Sequence, residues 1–401
     1  MTTFSIPSDE IQRRLLNLQK RLRSNNLDGA LDGALIIQRV DLMYFAGTAQ
    51  NGCMYVPAHG IPLLFIKRSH ARAQKESPLK TVLRIHSIKD VPGLIHDISG
   101  HLPAKLGLEL DVMPVNQFRF IGSLFPGCSL ADISPSILEI RMIKSDWEIA
   151  RMEHTADMSA ATFTYMREVL KEGYTEMEFA GMFETFARRI GHGGKIRIRD
   201  YQTEGYPWHV LSGKSGSQPG VLDSPASGQG TSLAFPCGAG NKQLRAGEPI
   251  MVDFAAVRNG FHMDETRMFA IDAMPKKAMQ ACEDAIKIHD FILEKAEPGI
   301  SSGELFQLAR DRAGVLGCAD SFLGPHGSKV RFIGHGIGHE LIEPPIIARG
   351  KKDVLMPGMT IALEPKLVVK NEFTAGIESV FAVTATGSRL ISRVPVEVFI
   401  C

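Results

Sequence analysis

Two aspartates flank the strongest turn signal in this sequence, Asn259-Gly260. A type I′ hairpin prefers that dipeptide because both of its central residues need a positive φ. In such a hairpin Ala255 faces Asp264, so Asp253 and Asp264 share one face as diagonal neighbours, about 7–8 Å apart at the backbone. Carboxylates on one buried face repel each other unless a cation or a proton joins them. The apolar run before Asp253 favours burial over an exposed edge hairpin, and we therefore expect a metal at this pair.

Further candidate ligands lie downstream. His335 belongs to Gly334-His-Gly-Ile-Gly-His339, a glycine-rich turn where the backbone can approach a ligand closely. Glu364 and Glu378 each lie in an otherwise apolar predicted strand, where an unpaired buried carboxylate is costly. Four carboxylates with one imidazole suit two divalent ions, Mn or Co first, with Zn or Fe as alternatives. Two such ions, about 3.5–4 Å apart, can hold a bridging hydroxide and polarise a carbonyl.

Capping boxes of the form S/T-x-x-E predict the helices that position these residues. They begin at Ser145, Thr175 and Ser301, each ahead of apolar residues at helical spacing. Matching residues stand 126 positions apart in two parts of the chain: Gly173 and Gly299, Thr175 and Ser301, Glu178 and Glu304, Gly191 and Gly317. The constant offset indicates two similar halves, each with two helices followed by strands.

The segment before these halves, up to about residue 143, has an α/β pattern. Ile11, Leu15, Leu18 and Leu22 fall on one face of a predicted helix. Short apolar runs near residues 34–37 and 62–67 predict strands.

Composition excludes several classes of protein. The 401 residues predict two or three domains, and 45 Lys+Arg against 44 Asp+Glu leave no basic excess for binding nucleic acid. Hydrophobic residues make up 44% and charged residues 22%, as in ordinary globular proteins. The longest apolar runs are far shorter than a membrane span, and the N-terminal residues have no apolar core of a secretory signal. Six cysteines without CxxC spacing predict reduced thiols in a cytoplasmic protein.

The candidate ligands and their order resemble those of a known family. Asp253, Asp264, His335, Glu364 and Glu378 follow the pattern of the pita-bread metallopeptidases, which include methionine aminopeptidase, prolidase, aminopeptidase P and the metal-free relative creatinase. The GHGIG motif at 334–338 and Leu363-Glu-Pro365 add to the resemblance. It implies an α+β fold, with a creatinase-like α/β domain at residues 1–143 and a pita-bread catalytic domain, a curved antiparallel sheet covered by helices, at 144–401.

The resemblance also implies roles for these residues. Asp253 would chelate one metal, Asp264 and Glu378 would bridge both metals, and His335 and Glu364 would hold the other. Glu364 would also take the proton from the bridging water. Because methionine aminopeptidase usually lacks the large N-terminal domain, prolidase and aminopeptidase P are the nearer relatives. Both act at a Xaa-Pro bond, and the family suggests a homodimer.

Two departures from the family pattern concern the residues that would contact substrate. Relatives that cleave peptides usually have a histidine where this chain has Ile342, and another where it has Cys237. An isoleucine cannot donate a hydrogen bond to an oxyanion, and losing such a donor costs about 10²–10³ in rate. His209 and His339 are candidate catalytic replacements.

A third departure is the long Gly/Ser-rich stretch at 212–240, which is either a flexible surface loop or an active-site lid. Together the departures leave alternative functions. The first is a dinuclear-metal Xaa-Pro dipeptidase or aminopeptidase, with a peptide substrate. The alternative is a non-peptidase metal-dependent hydrolase or lyase acting on a small molecule. A binding protein without catalysis is the weakest hypothesis, because it would not explain five retained ligands.

Overall fold

The computed structural model of this chain describes residues 4–24, 29–200 and 208–401. The chain divides into two compact units, Met1–Arg141 and Met142–Cys401. This division lies close to the predicted boundary between residues 143 and 144.

The first unit is α/β, as its sequence predicts. The helix at Ser8–Arg23 buries Ile11, Leu15, Leu18 and Leu22 on one face. In chain order the elements are α1 (Ser8–Arg23), β1 (Gly33–Ile36), α2 (Arg39–Ala46), β2 (Gly52–Pro57), β3 (Leu63–Ile66), α3 (His70–Glu76), β4 (Val82–Arg84), α4 (Val91–Ser99), β5 (Lys105–Leu108), α5 (Val115–Leu124), β6 (Ser129–Asp132) and α6 (Ser134–Met142). The described strands form one mixed sheet in the order β4-β3-β2-β1-β5-β6.

The second unit contains two pairs of helices and three sheets within its described residues. In chain order the elements are α7 (Asp146–Val169), α8 (Glu176–Arg189), β7 (Trp208–Ser212), β8 (Ile250–Arg258), β9 (Phe261–Ala270), α9 (Lys276–Lys295), α10 (Ser302–Val315), β10 (Phe332–Gly336), β11 (Glu343–Ala348), β12 (Thr360–Leu363), β13 (Lys366–Val369), β14 (Phe373–Gly376), β15 (Ser379–Val383), β16 (Ser388–Leu390) and β17 (Val398–Ile400). The strand orders of the three sheets are β11-β10-β12-β15-β16, β13-β14 and β17-β9-β8-β7.

The predicted capping boxes begin three of these helices. Ser145, Thr175 and Ser301 each accept a hydrogen bond from the backbone N–H three residues on, and the glutamate there bonds back to the cap. The reciprocal bonds satisfy N–H groups that a helix start otherwise leaves unpaired. α7 and α8 therefore begin as the sequence predicts, and α10 begins in the same way as α8.

Each helix pair covers one half of the unit. Phe163 of α7 stacks on Phe269 of β9 with ring centroids 6.2 Å apart, and Phe183 of α8 packs edge-on against Phe254 of β8. The second pair packs on the sheet of β10, β12 and β15, with Ile288 of α9 in the same buried cluster. Burying a side chain such as Phe163 stabilises the fold by about 1.5–3 kcal/mol. The two predicted halves of similar plan are confirmed.

Candidate metal centre

The hairpin that carries the two aspartates forms as predicted. Asn259 and Gly260 both have positive φ, at 54° and 82°. In β8 and β9 Ala255 pairs with Asp264. Asp253 and Asp264 therefore share one face of the sheet, and both line the same cleft.

The other three predicted ligands come from the opposite half of the second unit. His335 lies in β10, Glu364 follows the last residue of β12, and Glu378 precedes the first residue of β15. The prediction that both glutamates lie inside strands is wrong by one residue, because Glu364 directly follows β12 and Glu378 directly precedes β15. Main-chain contacts still fix them, since the Glu364 N–H donates to Ile333 and the Glu378 N–H donates to Thr266.

The structure brings all five predicted ligands to one cleft. His335 Nε2 lies 3.9 Å from Asp264 Oδ2 and 3.7 Å from Glu364 Oε1. Among the described residues, Asp264, His335 and Glu378 offer ligand atoms that all lie within 4.8 Å of one another. His335 Nδ1 is 3.0 Å from the Gly336 carbonyl, and a proton donated there leaves Nε2 free to bind a metal.

The electrostatics of this cluster call for a cation or a proton among its carboxylates. Burial raises the pKa of Asp264 well above its usual value, and Glu378, Asp253 and Glu364 raise it further. Burial likewise raises the pKa of Glu378, despite the opposing charge of Lys366. Glu378 Oε1 is buried and accepts no hydrogen bond from any residue in the described part of the chain. The donor set of Asp264, His335 and Glu378 therefore fits one divalent ion.

Lys366 is a member of the cluster that sequence reasoning missed. Its Nζ lies 2.8 Å from Glu364 Oε2, 3.1 Å from Asp253 Oδ2 and 3.5 Å from Glu378 Oε2. Burial alone would lower the pKa of Lys366, but these three carboxylates raise it well above the usual lysine value. Burial would raise the pKa of Asp253, but Lys366 and His209 lower it. The signal was present in the sequence, because Lys366 is two residues from Glu364 in an apolar strand.

Arg267 fixes the backbone beside the cluster. Its guanidinium is fully buried and donates to the backbone carbonyls of Glu378, at 2.5 Å, and Thr266, at 2.8 Å. The Thr266 hydroxyl in turn donates to Glu378 Oε2 at 2.8 Å. These bonds orient the Glu378 carboxylate, so that Oε2 faces Lys366 and Thr266 while Oε1 accepts no bond from the described residues.

The cluster lies in a cleft of about 310 Å³ with mostly apolar walls. The polar lining residues are the five predicted ligands, Lys366, His209, Asp223 and Ser224. The apolar lining residues are Ile198, Trp208, Val221, Leu222, Ala255, Phe332, Leu341 and Ile342. A small, largely apolar cleft with a few convergent polar groups is the usual form of a small-molecule site.

The two histidines predicted as catalytic replacements lie in different places. His209 pairs with Asp253 across β7 and β8 and lines the cleft, where burial lowers its pKa and keeps the imidazole neutral near neutral pH. His339 does not line the cleft. Its Nδ1 is 3.0 Å from the Gly260 carbonyl, and its ring packs 4.2 Å from that of Phe261. His339 therefore supports the hairpin turn.

The positions that depart from the family pattern also separate. Ile342 is 43% exposed and lines the cleft, so an apolar side chain occupies a wall where a donor was expected. Cys237 is buried in the 212–240 stretch and is not a lining residue. The neighbouring Gly238 approaches the His209 ring closely enough that a Cβ would lie 3.8 Å from it.

Hydrogen bonds to one buried glutamate order the 212–240 stretch. Glu176, at the start of α8, accepts from the Ser212 N–H at 2.8 Å, the Ser215 hydroxyl at 2.5 Å and the Gly240 N–H at 2.9 Å. Both ends of the stretch are thus attached to the same carboxylate. Residues 221–224 between them form part of the cleft wall. The stretch belongs to the site rather than to a remote surface.

Comparison with known proteins gives the family. Residues 150–385 match the model of metallopeptidase family M24, and residues 14–143 match that of the creatinase/prolidase N-terminal domain. The first match covers more than half of the chain, so this chain belongs to metallopeptidase family M24. It is a hydrolase of metallopeptidase type, and the predicted fold class, a pita-bread unit with a smaller α/β unit before it, is confirmed.

Individual relatives are distant but match along nearly the whole chain. The Xaa-Pro dipeptidase of Pyrococcus furiosus is 23% identical over 386 residues, 96% of this chain and 98% of that protein. The probable dipeptidase PepE of Mycobacterium tuberculosis is 24% identical over 383 residues, 93% of each. The solved Xaa-Pro dipeptidase from Bacillus anthracis has a TM-score of 0.81 at 21% identity and covers 98% of this chain and 100% of that one. At that identity the likeness shows the fold.

Within residues 4–24, 29–200 and 208–401, no helix combines the length and the apolar character that crossing a membrane requires.

Proposed function

We propose that this chain is a metal-dependent hydrolase that cleaves the amide bond of a small substrate, with Xaa-Pro dipeptides and short Xaa-Pro peptides as the first candidates. One observation carries the proposal. Five predicted ligands from distant parts of the second unit meet at one cleft, and Glu378 Oε1 there has no hydrogen-bond partner within the described residues. Nothing but a cation or a proton compensates such a buried cluster of carboxylates.

Asp264, His335 and Glu378 would hold a divalent ion. When bound, such an ion polarises a carbonyl oxygen and lowers the pKa of a water molecule. Mn or Co are the first candidates, with Zn or Fe as alternatives. The resemblance to the family pattern calls for two ions, and the position of Lys366 bears on that number.

The chain's own side chains supply the remaining steps. Glu364 Oε1 faces His335 and can accept a proton from the attacking water, while Lys366 fixes the other oxygen at 2.8 Å. His209 stays neutral near neutral pH, so its ring can donate a hydrogen bond to the charge that develops on the carbonyl oxygen. Donation by His209 would replace the histidine that is absent at Ile342.

The cleft supports a small substrate. Its volume of about 310 Å³ is at the lower end of the 300–1,000 Å³ typical of small-molecule sites. Trp208, Leu222 and Ile342 give it apolar walls suited to a compact ring such as that of proline. The relative in Pyrococcus furiosus is named a Xaa-Pro dipeptidase. We also propose that the protein forms a homodimer, as the family resemblance suggests, and that it is cytoplasmic, as its free cysteines suggest.

A second candidate is a non-peptidase hydrolase or lyase of a small molecule on the same fold. Two observations favour it. Ile342 leaves the cleft wall without the donor that peptide-cleaving relatives usually have there. Lys366 adds a positive charge among the carboxylates, which changes what kind of group the cleft can bind.

A substrate panel separates the two candidates. Purified protein loaded with Mn²⁺ is incubated with Ala-Pro, Gly-Pro and Ala-Pro-Ala, and with small non-peptide amides, and products are quantified by mass spectrometry. We expect release of proline from the dipeptides, or of Pro-Ala from Ala-Pro-Ala, and we expect a chelator to abolish it. Cleavage of the non-peptide amides alone would favour the second candidate.

Paired variants test whether the cluster is the active centre. Glu378→Gln removes a ligand, and we expect it to lower kcat/KM by at least about 100-fold, the upper range for losing even an outer partner of a metal ligand. Glu372→Gln is the control, because Glu372 is half-exposed and pairs with the exposed Lys277. Equal activity of the two variants would refute the assignment of the active centre.

A further inference from the structure

The ammonium of Lys366 occupies a defined place among the acids. It touches one oxygen each of Asp253, Glu364 and Glu378, at 3.1, 2.8 and 3.5 Å, and its side chain is only 2% exposed. The family resemblance assigns Asp253 to one metal and makes Glu378 a bridge between two. The lysine therefore lies on the Asp253 side of the cluster. It also contacts Oε2 of Glu364, which the resemblance assigns to the other metal, while Oε1 of Glu364 faces His335.

The backbone is built to admit this lysine. Lys366 is the first residue of β13 and pairs with Gly376 of β14. A Cβ placed on Gly376 would lie 2.7 Å from Lys366 Cγ, closer than real contacts allow. The glycine thus leaves the space that the lysine stem fills. The missing side chain at Gly376 supports this position of Lys366 independently of the charges.

An ion and the ammonium cannot share this position. A metal bound to carboxylate oxygens lies about 2.0–2.2 Å from each of them. An ion bound at that distance to Asp253 Oδ2, Glu364 Oε2 and Glu378 Oε2 would lie between them, where Nζ is placed. The other side of the cluster is different. There Asp264, His335 and Glu378 Oε1 keep a donor set that Lys366 does not contact.

We infer that Lys366 replaces one of the two metal ions, so that this chain binds a single divalent ion, at Asp264, His335 and Glu378. The inference rests on the metal centre of the proposed function but not on its substrate. The lysine charge holds Asp253 and Glu364 in place, as an ion would. An ammonium has no open coordination position, so Lys366 is a positioning residue and cannot activate water as a metal does.

Metal stoichiometry tests the inference without any activity assay. The full chain is equilibrated with Mn²⁺, freed of loosely bound ions by dialysis, and its metal content is measured by mass spectrometry against protein concentration. The variants are Lys366→Gly, which clears the position, and Lys366→Met, which keeps the stem and removes the charge. Lys277→Met is the control, because it makes the same charge change at an exposed site.

We expect one ion per chain in the unchanged protein and in Lys277→Met, and two in Lys366→Gly. Electron paramagnetic resonance should show an isolated Mn²⁺ in the first two and an exchange-coupled pair in Lys366→Gly. Lys366→Met should still bind one ion, because the methionine side chain fills the space of the lysine stem. Circular dichroism of each variant establishes that it is folded.

Two ions in the unchanged protein would overturn the inference, because the ammonium would then have moved aside, and this result does not depend on any variant folding. One ion in both the unchanged protein and folded Lys366→Gly would also overturn it. No ion in either would refute the metal centre of the proposed function as well. Failure to cleave Xaa-Pro peptides, with one ion bound, would refute only the substrate assignment.

Discussion

Glu176 offers a sharp test of how the cleft wall is held. Its carboxylate is fully buried and accepts four hydrogen bonds, from the N–H and hydroxyl of Ser212, the hydroxyl of Ser215 and the N–H of Gly240. In Glu176→Gln, Oε1 can still accept from the serines. The amide NH₂ then faces the Gly240 N–H, which sets donor against donor.

The expected cost follows from the bonds lost. A buried donor left without a partner costs about 1–3 kcal/mol, and the serine bonds lose the strength that a charged acceptor gives them. We therefore expect Glu176→Gln to lower the free energy of unfolding by about 2–4 kcal/mol. Glu176→Ala would remove every bond and cost more, a large share of the 5–15 kcal/mol typical of a whole domain.

Urea unfolding followed by circular dichroism measures the change. The control is Glu178→Gln, two residues along α8, where the carboxylate is exposed and bonds Thr175 of the capping box. It should cost much less than Glu176→Gln, because water surrounds this carboxylate. Because residues 221–224 line the cleft, Glu176→Gln should also raise KM more than it lowers kcat. Equal unfolding free energies for the two variants, within ~0.5 kcal/mol, would refute the reasoning.

Three further predictions concern the cleft, the core and the hairpin. His209→Ala should lower kcat/KM by about 10²–10³, whereas His339→Ala, outside the cleft, should change the melting temperature more than kcat. Steady-state kinetics and thermal melting measure both effects. A large loss of kcat/KM in His339→Ala and none in His209→Ala would contradict the placement of His209 at the reacting group. Burial raises the pKa of the Cys282 thiol from 9.0 to about 12, so its contribution to stability is complete below pH 9 and lost as pH rises towards 12, by up to about 4 kcal/mol. Urea unfolding at rising pH should therefore show a shallower loss in Cys282→Ala than in the unchanged protein, and parallel losses would count against it. Asn259→Val, at φ 54°, should cost about 1–2 kcal/mol, measured by calorimetry, while Asn259→Gly should cost little; similar values for both would contradict the turn geometry.

Local signals in the sequence were enough for the helices and the hairpin. A capping box acts within four residues, so Ser145, Thr175 and Ser301 begin their helices as the sequence predicts. Asn259-Gly260 forms a two-residue turn, and the pairing register of the two strands follows from counting residues outwards from that turn. The partnership of Asp253 and Asp264 on one face came from that register and needed no knowledge of the rest of the chain.

Long-range packing decided the rest of the site. The sequence alone made His209 and His339 equal candidates for a catalytic histidine. In the structure, strand pairing places His209 beside Asp253, and a hydrogen bond holds His339 against the hairpin turn. Spacing along a chain does not fix such placements, because they depend on which strands meet. The same is true of Glu176, whose bonds reach residues 36 and 64 positions away.

The sequence by itself determined the five candidate ligands, the hairpin that presents two of them and the family they resemble. Only the tertiary structure decided what surrounds them. In the sequence Lys366 is a single charge in an apolar strand. In the structure β13 pairs with β14, and Gly376 opposite Lys366 leaves room for its side chain among the acids. Ligand identity is a property of residue type and order, whereas the charge balance of a buried site depends on every group that packing brings within a few ångströms.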